Sequence, residues 1–343
     1  MCEFDEARSL RLQRMTAKRA ATAAARCGGE RQQWAAHVAS RALDSTDAAQ
    51  HPTAAMSPNL HLFFVAANVR SKKRKQAMEI MCLNGWGGKL HEALLPYLAS
   101  KAPDILCLQE VIHSPASQKD WLTYRDGDHI LPQRANLFRD VSAALPEHVA
   151  IFCPAAQGVL WDDDTSIPSQ WGLATFVHRS FPIIGQVQGF VHKDFSPVGY
   201  GDHPRSRSAH GVRIWDYDAN RAVSITHMHG LRDLNGKMDT PEREKQARKL
   251  LDMSRSLAEP DDLTVICGDF NVEPDSETLS ILSSAGLTEL VTERGFDSTR
   301  NTQYKKPGRF ADYMLIDCED AVNSFDVIHD PEVSDHCPLV LKV

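Results

Sequence analysis

Short apolar runs recur along the chain from residue 78 to the C-terminus, and turn-forming residues separate them. Runs of this kind are typical of buried β-strands. We therefore predict strands at residues 79–83, 105–111, 171–177, 185–191, 210–217, 222–229, 263–267, 310–316 and 338–343.

Other stretches carry apolar residues at helical spacing, at residues 89–99, 133–145, 240–257 and 275–282. In the first of them, Leu90, Leu94 and Leu98 fall on one face of a helix. Helices that alternate with hairpin-like pairs of strands are typical of an α/β domain. The pattern therefore predicts two largely antiparallel sheets covered by helices.

Residues 1–77 differ from the rest of the chain in composition. Segment 15–58 is rich in Ala, Arg, Gln, Ser and Thr and has few large apolar residues, so we expect disorder there rather than a frayed helix. We divide the chain into an N-terminal extension, 1–77, and a folded domain, 78–343. The run Lys72-Lys73-Arg74-Lys75 is interpreted as a solvated linker rather than a nuclear or nucleic-acid signal. A translation start at Met78 is a second interpretation of the boundary.

Charge is distributed unevenly between these two parts. Residues 1–77 carry 13 Lys and Arg against 6 Asp and Glu, whereas residues 78–343 carry 25 against 39. An acidic main domain disfavours a nonspecific grip on a nucleic-acid backbone, which needs clustered cations. Nucleic acid is still allowed as a substrate, because a metal ion and a local basic rim can hold a phosphate.

The remaining bulk features point to a reduced compartment. No apolar run is long enough for a membrane span, and the N-terminus lacks a secretory pattern. Cys82, Cys107 and Cys267 lie inside apolar runs and are expected to be reduced core residues. We expect a cytoplasmic location, or a nuclear one if the Lys72–Lys75 run is a signal. A monomer is compatible with the pattern.

Several predicted strands run directly into polar residues. Asn84 follows the first strand, Glu110 ends the second, and Asp269 and Asn271 follow strand 263–267. Strand ends that all carry such groups suggest one shared cleft. Glu110 suits Mg²⁺, a hard cation that takes oxygen ligands. Asn84 precedes glycine, and by itself that pair is typical of a turn.

Two further pairs suit proton transfer at a phosphate. Asp269 and Asn271 are two residues apart and face one side of an extended chain, so one can orient a water while the other donates to a phosphoryl oxygen. His336 follows Asp335 directly, and a histidine beside a carboxylate suits proton transfer or stabilisation of a charged transition state. Asp312 is a candidate to hold the His336 ring and fix its tautomer.

His227 and His229 face the same side of a predicted strand. Two histidines at this spacing can ligate a transition metal such as Zn²⁺ or Mn²⁺. We prefer one histidine on the phosphate, because the other candidate ligands are oxygen donors that suit Mg²⁺. Mg²⁺ is thus the expected cofactor, with Mn²⁺ as an alternative.

Taken in order, the chain's motifs resemble those of the endonuclease/exonuclease/phosphatase superfamily, the DNase I-like metal-dependent phosphoesterases. The motifs are LNGWGG, DILCLQEV, THMHG, GDFNVEPDSETL, RFADYML and SDHCPLV, and they span nearly all of 78–343. The resemblance implies a four-layer α/β sandwich, with two facing sheets between outer helices and the site at the strand ends.

The resemblance also implies a role for each matching residue. Glu110 would be the main Mg²⁺ ligand, with Asn84 beside it and Asp335 close to the metal. Asp269 would orient the attacking water, Asn271 would bind phosphate, and His336, oriented by Asp312, would contact the scissile phosphate. His227 matches the family's strand histidine better than His229, which would be additional.

The activity implied is Mg²⁺-dependent hydrolysis of a phosphoester by in-line attack of water. We favour a phosphodiester, in nucleic acid or a related molecule, because that is the majority activity of the resembled family. The alternatives are a phosphatase on a small or lipid phosphate and a non-catalytic binding module. An inactive member would have lost Glu110, Asp269 or His336, and all three are present.

Substrate choice is expected to depend on predicted loops at 113–133, 155–171, 192–209 and 230–240. The acidic run 162–164 is interpreted as a solvated loop tip. Trp161 and Trp171 would either stack on a base or sugar or pack under a loop. Arg205 or Arg207 would either contact phosphate or remain solvated loop charges, and we favour the latter.

Overall fold

The predicted apolar runs form two β-sheets that share a hydrophobic core. In the computed structural model, which describes residues 77–343, eight strands form one sheet and six form the other. The strands are β1 Glu79–Asn84, β2 Ile105–His113, β3 Trp121–Asp126, β4 His129–Arg134, β5 His148–Asp162, β6 Thr165–His178, β7 Ile183–His192, β8 Arg207–Asp216, β9 Arg221–His229, β10 Leu263–Asp269, β11 Thr288–Glu289, β12 Asp312–Ile316, β13 Ser324–Val327 and β14 Leu339–Lys342. The predictions for residues 1–76, including the Lys72–Lys75 run, lie outside the described residues.

The order of strands is β13-β14-β1-β2-β6-β5-β3-β4 in the larger sheet and β11-β12-β10-β9-β8-β7 in the smaller one. Ile80 and Cys107 of the larger sheet belong to one buried cluster with Ile225 and Val265 of the smaller sheet. This cluster fills the space between the two sheets, as face-to-face packing requires.

Helices cover the outer faces. Helices His91–Lys101 and Leu137–Ala144 contribute to a second buried cluster on the larger sheet. Helix Pro241–Leu257 packs on β7, β8 and β9, and helix Glu277–Ser284 lies against it. A short helix, Leu290–Glu293, precedes β12. The prediction of an α/β sandwich with two mostly antiparallel sheets and helices outside is confirmed.

Two parallel strand pairs determine where polar side chains collect. β1 pairs with β2, and β9 with β10, in parallel, so each pair has its carboxyl ends side by side. β14 and β12 run antiparallel to β1 and β10, so their starts lie at the same edge. Asp269 is directly opposite Asp312 in this register. The strand ends that carry the predicted site residues therefore meet at one edge.

Two predicted loops contain strands instead. Loop 113–133 contains most of the β3–β4 hairpin, and loop 155–171 contains the central part of the long β5–β6 hairpin, whose segment 171–177 is a strand as predicted. Both hairpins lie toward the edge of the larger sheet and carry many polar or half-exposed residues, so apolar alternation does not mark them. The helix predicted from residue 133 begins at Leu137, because Gln133 and Arg134 still pair with β3.

The acidic run 162–164 is the turn of the β5–β6 hairpin, and Asp163 there has a positive φ of 50°. Aspartate tolerates the left-handed region better than most residues. None of the helices within residues 77–343 is long and apolar enough to cross a membrane.

Candidate active site

Asp269 lies at the centre of the converging strand ends. Its Oδ2 accepts a hydrogen bond of 2.9 Å from Asn84 Nδ2, and its Oδ1 accepts one of 3.0 Å from the backbone N–H of Asn271. The Nε2 atoms of His229 and His336 are each 3.7 Å from Oδ2. One buried carboxylate therefore joins residues of both sheets.

Glu110 reaches the site because β2 is irregular at that point. The register between β2 and β6 shifts between Leu108 and Val111, and Glu110 itself has a positive φ of 56°. Asn271 also has a positive φ, of 54°. Such backbone is unfavourable for non-glycine residues and is concentrated at functional sites. The side chains of Glu110 and Asn271 therefore take directions that the backbone of a regular strand would not give them.

The environment of Glu110 favours its protonated form. Burial raises the pKa of its carboxyl to about 7, and the negative charges of Asp335 and Asp269 add to the effect. Its side chain is still 29% exposed, so the site remains open to ions from solvent. A cation bound here would relieve the repulsion among these three carboxylates.

His336 is held by Asp312. The ring Nδ1 lies 2.7 Å and 2.9 Å from the two carboxylate oxygens. Burial lowers the pKa of His336 to about 4 and raises that of Asp312 to about 7, so burial favours the neutral form of each group. The other ring nitrogen, Nε2, faces Asp269 at 3.7 Å and Asp335 at 3.8 Å. Asp312 thus contacts the ring at Nδ1, and Nε2 points into the site.

Asp335 has one engaged oxygen and one free oxygen. Arg300 Nη1 donates to Oδ2 at 3.1 Å, while the buried Oδ1 has no hydrogen-bond partner among the described residues. A buried carboxylate oxygen without a donor is costly unless something else binds it. Oδ1 is therefore well suited to a cation.

The donor set fits a hard divalent cation. Glu110, Asp269 and Asp335 offer carboxylate oxygens, the ligands that Mg²⁺ prefers, whereas Asn84 presents its Nδ2 to Asp269 and its Oδ1 accepts a hydrogen bond from the backbone N–H of Trp86. A second grouping is formed by Asp269, Asp312 and His336, whose potential ligand atoms lie within 4.8 Å of one another. In that grouping both Asp312 oxygens are already close to His336 Nδ1. We therefore regard the set with Glu110 and Asp335 as the better cation site.

The two histidines of β9 occupy different environments. His229 Nε2 lies 3.7 Å from Asp269 and 3.9 Å from Glu110. His227 is one layer deeper, with Gln109 Nε2 at 3.1 Å from its Nδ1 and Thr175 Oγ1 at 2.9 Å from its Nε2. The strand histidine that lies at the cleft is therefore His229, although the sequence comparison favoured His227.

This difference follows from strand direction. The carboxyl end of β9 points to the cleft, and in the parallel register His229 lies opposite Asp269 whereas His227 lies opposite Cys267. Because both nitrogens of His227 are occupied by protein groups, the two rings do not form a joint transition-metal site. Aligning the histidines with the GDFN strand would have placed His229, and not His227, beside Asp269.

Two arginines near the site were not predicted in these positions. Arg300 contacts Asp335 and was not considered. Arg207, expected to be a solvated loop charge, is buried at the start of β8, with its guanidinium 5.0 Å from the Trp171 ring centre. Arg205 is closer to the expectation, since it lies outside the strands and pairs with Asp126 at 2.7 Å. Nothing in the local sequence indicates that a charged residue just before a predicted strand will be buried.

Comparison with known proteins agrees with this arrangement. The model of the endonuclease/exonuclease/phosphatase family matches residues 67–336. No curated protein matches the chain.

Solved structures share the fold at low sequence identity. A mannosyl-6-phosphatase of Bacteroides thetaiotaomicron is 15% identical with a TM-score of 0.55, covering 78% of this chain and 100% of that one. The human Nocturnin catalytic domain with bound sulfate is 19% identical with a TM-score of 0.52, covering 79% and 94%. D. rerio TDP2 complexed with a single-strand DNA product is 16% identical with a TM-score of 0.50, covering 77% and 98%. At these identities the likeness is evidence of fold alone.

Proposed function

Because the chain belongs to the endonuclease/exonuclease/phosphatase family, we propose that it is a Mg²⁺-dependent hydrolase whose substrate is a phosphodiester. The observation that carries the proposal is the arrangement around Asp269, which is bonded to Asn84 and lies 3.7 Å from both His229 and His336. Carboxylates, an amide and histidine nitrogens in one cleft suit hydrolysis of a phosphate ester. All of these residues belong to residues 78–343, which we propose as the catalytic domain.

Glu110, Asp335 and Asn84 are the residues proposed to hold the cation. Support comes from the unpartnered Oδ1 of Asp335 and from the pKa of Glu110, which neighbouring negative charges raise. When bound, Mg²⁺ would supply positive charge to the phosphoryl oxygens of the substrate. Mn²⁺ offers the same preference for oxygen ligands and is the expected substitute.

The remaining steps of the reaction are assigned to side chains of the protein itself. Asp269 orients the attacking water and accepts its proton. Asn271 donates its side-chain amide to a phosphoryl oxygen. The anionic phosphate favours the protonated His336 ring, whose Nε2–H donates to the developing negative charge while its Nδ1–H donates to the Asp312 carboxylate, which fixes the ring. His229 is proposed to take the position on the phosphate that the sequence comparison gave to His227.

Both ester classes occur among proteins of this fold. One protein of similar structure is a mannosyl-6-phosphatase, and another carries a single-strand DNA product. We favour the diester because the flank of the site near Glu110 contains a further cation, Arg207, whose charge acts on both Glu110 and Asp269. A nucleic-acid chain presents a neighbouring phosphodiester to such a cation, whereas a simple monoester presents one phosphate group only.

The test is hydrolysis of a diester and a monoester of the same chromophore by the full chain, with Mg²⁺ and after chelation. Bis(4-nitrophenyl) phosphate and 4-nitrophenyl phosphate form such a pair. We expect Mg²⁺-dependent cleavage of the diester that His336→Ala removes. Preference for the monoester would indicate a phosphatase instead. No turnover of either ester would favour the non-catalytic alternative.

A further inference from the structure

Arg207 is a buried cation without a hydrogen-bonding partner for its inner nitrogens. The residue is 3% exposed, and neither Nε nor Nη1 has a partner among residues 77–343. The other buried arginines of this part of the chain each donate at least one hydrogen bond from a terminal nitrogen, Arg134 to Asp140, Arg243 to backbone carbonyls and Arg300 to Asp335, although Nε of Arg243 and of Arg300 also has no partner. Burial of unpaired guanidinium donors is unfavourable, so their retention calls for a ligand.

An aromatic ring, and not a carboxylate, holds the guanidinium. Its Cζ lies 5.0 Å from the centre of the Trp171 ring, and Trp171 is in turn 5.2 Å from the ring of His229. Stacking on tryptophan fixes the plane of a guanidinium without using its N–H donors. The donors of Arg207 therefore remain available to an anion.

Arg207 belongs to the wall of the proposed active site. The charges of Glu110 and Asp269 act on it strongly enough to oppose the effect of burial on its pKa, which is lowered to about 10. The group is thus still charged at neutral pH. Arg207 is connected to Asp269 through two side chains, Trp171 and His229, whereas His336 Nε2 is 3.7 Å from Asp269 itself. We therefore assign the anion at Arg207 to a group next to the one that His336 contacts.

A second cation is close by. Arg232 is exposed, and its positive charge acts on both Arg207 and His229. Arg205 is also near, but its charge is compensated by Asp126 at 2.7 Å. In a domain with an excess of acidic residues, this local pair of cations, neither of which forms an ion pair within residues 77–343, would attract one negatively charged group.

We propose that Arg207, stacked on Trp171, binds a second phosphate of the substrate, next to the scissile one. The inference rests on the proposed hydrolytic function and narrows its substrate class to esters with two neighbouring phosphates. A terminal phosphate on a mononucleotide ester and an adjacent diester in a polynucleotide share this chemistry. A planar guanidinium with free donors can bind either through paired hydrogen bonds.

Matched substrates test the second phosphate directly. The first pair is the 4-nitrophenyl ester of thymidine 5′-phosphate with and without a 3′-phosphate. The second is the ester of thymidine 3′-phosphate with and without a 5′-phosphate. We expect the full chain to favour the doubly phosphorylated member of one pair by roughly 10- to 100-fold in kcat/KM, the size expected for hydrogen bonds to a charged group. Adding a dinucleotide and a longer oligonucleotide distinguishes a terminal phosphate from a chain diester.

For each variant, the quantity to compare is the kcat/KM of the doubly phosphorylated member of a pair divided by that of the singly phosphorylated member. In Arg207→Gln the ratio should fall to about one, and Arg207→Lys should be intermediate because an ammonium keeps the charge without the planar donors. Arg205→Gln is the matched control and should keep the wild-type ratio. A wild-type ratio near one in both pairs, or a full ratio in Arg207→Gln, would overturn the proposal.

Phosphate binding without catalysis provides the second measurement. With all metal chelated, inorganic phosphate should raise the melting temperature of the wild type and of Arg205→Gln, and should raise that of Arg207→Gln by less than half as much. An equal shift in Arg207→Gln would contradict the anion site even if the enzyme is active. An Arg207-dependent shift in a protein that hydrolyses no ester would support the anion site and contradict the proposed function.

Discussion

Two layers of polar side chains lie between the sheets, and β9 contributes one histidine to each. The outer layer contains His229 with Glu110 and Asp269, at distances of 3.7 to 3.9 Å and without direct hydrogen bonds from the histidine. The inner layer contains His227, with both ring nitrogens hydrogen-bonded. The two histidines are only two residues apart and face the same way.

The two layers differ in how the ring of their strand histidine is held: both nitrogens of His227 have protein partners, although Nε2 of the neighbouring His210 has none among the described residues, whereas the His229 ring has no hydrogen bond within that part of the chain. In the inner layer Thr175 Oγ1 lies 2.7 Å from His210 Nδ1 and 2.9 Å from His227 Nε2, so one hydroxyl connects two neutral rings. In the outer layer, buried atoms such as Asp335 Oδ1 and His229 Nδ1 have no partner among the described residues. Satisfied buried groups rigidify a core, whereas unsatisfied ones mark a place for a ligand.

The largest effect should come from the residue that joins the outer layer. Asp269→Asn keeps the size of the side chain but removes the proton acceptor and the negative charge. We expect a loss of diester hydrolysis of roughly 1,000-fold, with the folded state retained by circular dichroism. Activity within tenfold of wild type would exclude Asp269 as the group that activates water.

The two histidines should differ most clearly in activity. His229→Gln should lower kcat/KM by about 100-fold, the effect typical of a polar group that acts on the reacting phosphate. His227→Leu, measured at a temperature where it is folded, should lose far less. If His227→Leu is the more damaging of the two in kcat/KM, the assignment of layers is reversed.

Metal affinity should depend on pH through Glu110. The pKa of its carboxyl is raised to about 7 in the metal-free protein, and a proton there competes with the cation. Affinity for Mn²⁺ should therefore fall as the pH falls below 7, by up to about tenfold per pH unit. Calorimetric titrations at pH 5.5, 6.5 and 7.5 measure this slope. Equal affinity at all three values would contradict the raised pKa.

The smallest effect expected is on stability, and it belongs to the inner layer. His227→Leu leaves Gln109 and Thr175 without their ring partners and should lower the free energy of unfolding by about 1 to 3 kcal/mol. Adding Thr175→Val removes one of those unpaired groups, so the double variant should lose less than the sum of the single losses. Denaturant unfolding measures all four proteins, and strict additivity would argue against the network.

The sequence was sufficient to predict the fold and the cluster of residues, for a physical reason. Buried parallel strands are continuous apolar runs, and polar residues such as Glu110 and Asp269 at their ends are conspicuous. Strand β5 was not predicted because it is half exposed and contains Pro154 and Gly158, which weaken the strand pattern, whereas segment 171–177 of its partner β6 was predicted.

Which of two candidate residues lies at the site depends on strand register and tertiary contacts, which the sequence pattern does not show. His227 and His229 have the same side-chain direction, and only the register of β9 against β10 tells which one reaches the edge. Arg207 comes from a segment without helical or strand period before residue 210, so its burial depends on the Trp171 ring from a distant hairpin. Contacts of that kind are set by tertiary packing and leave no local pattern.

The most direct test of the account measures Mn²⁺ binding and diester hydrolysis in the same samples of wild type and Glu110→Gln. We expect the wild type to bind Mn²⁺ and to hydrolyse bis(4-nitrophenyl) phosphate only when Mn²⁺ is bound. We expect Glu110→Gln to lose both the binding and the hydrolysis. Hydrolysis by chelated wild type, or unchanged Mn²⁺ binding by Glu110→Gln, would contradict a cation site built on Glu110 in the outer layer.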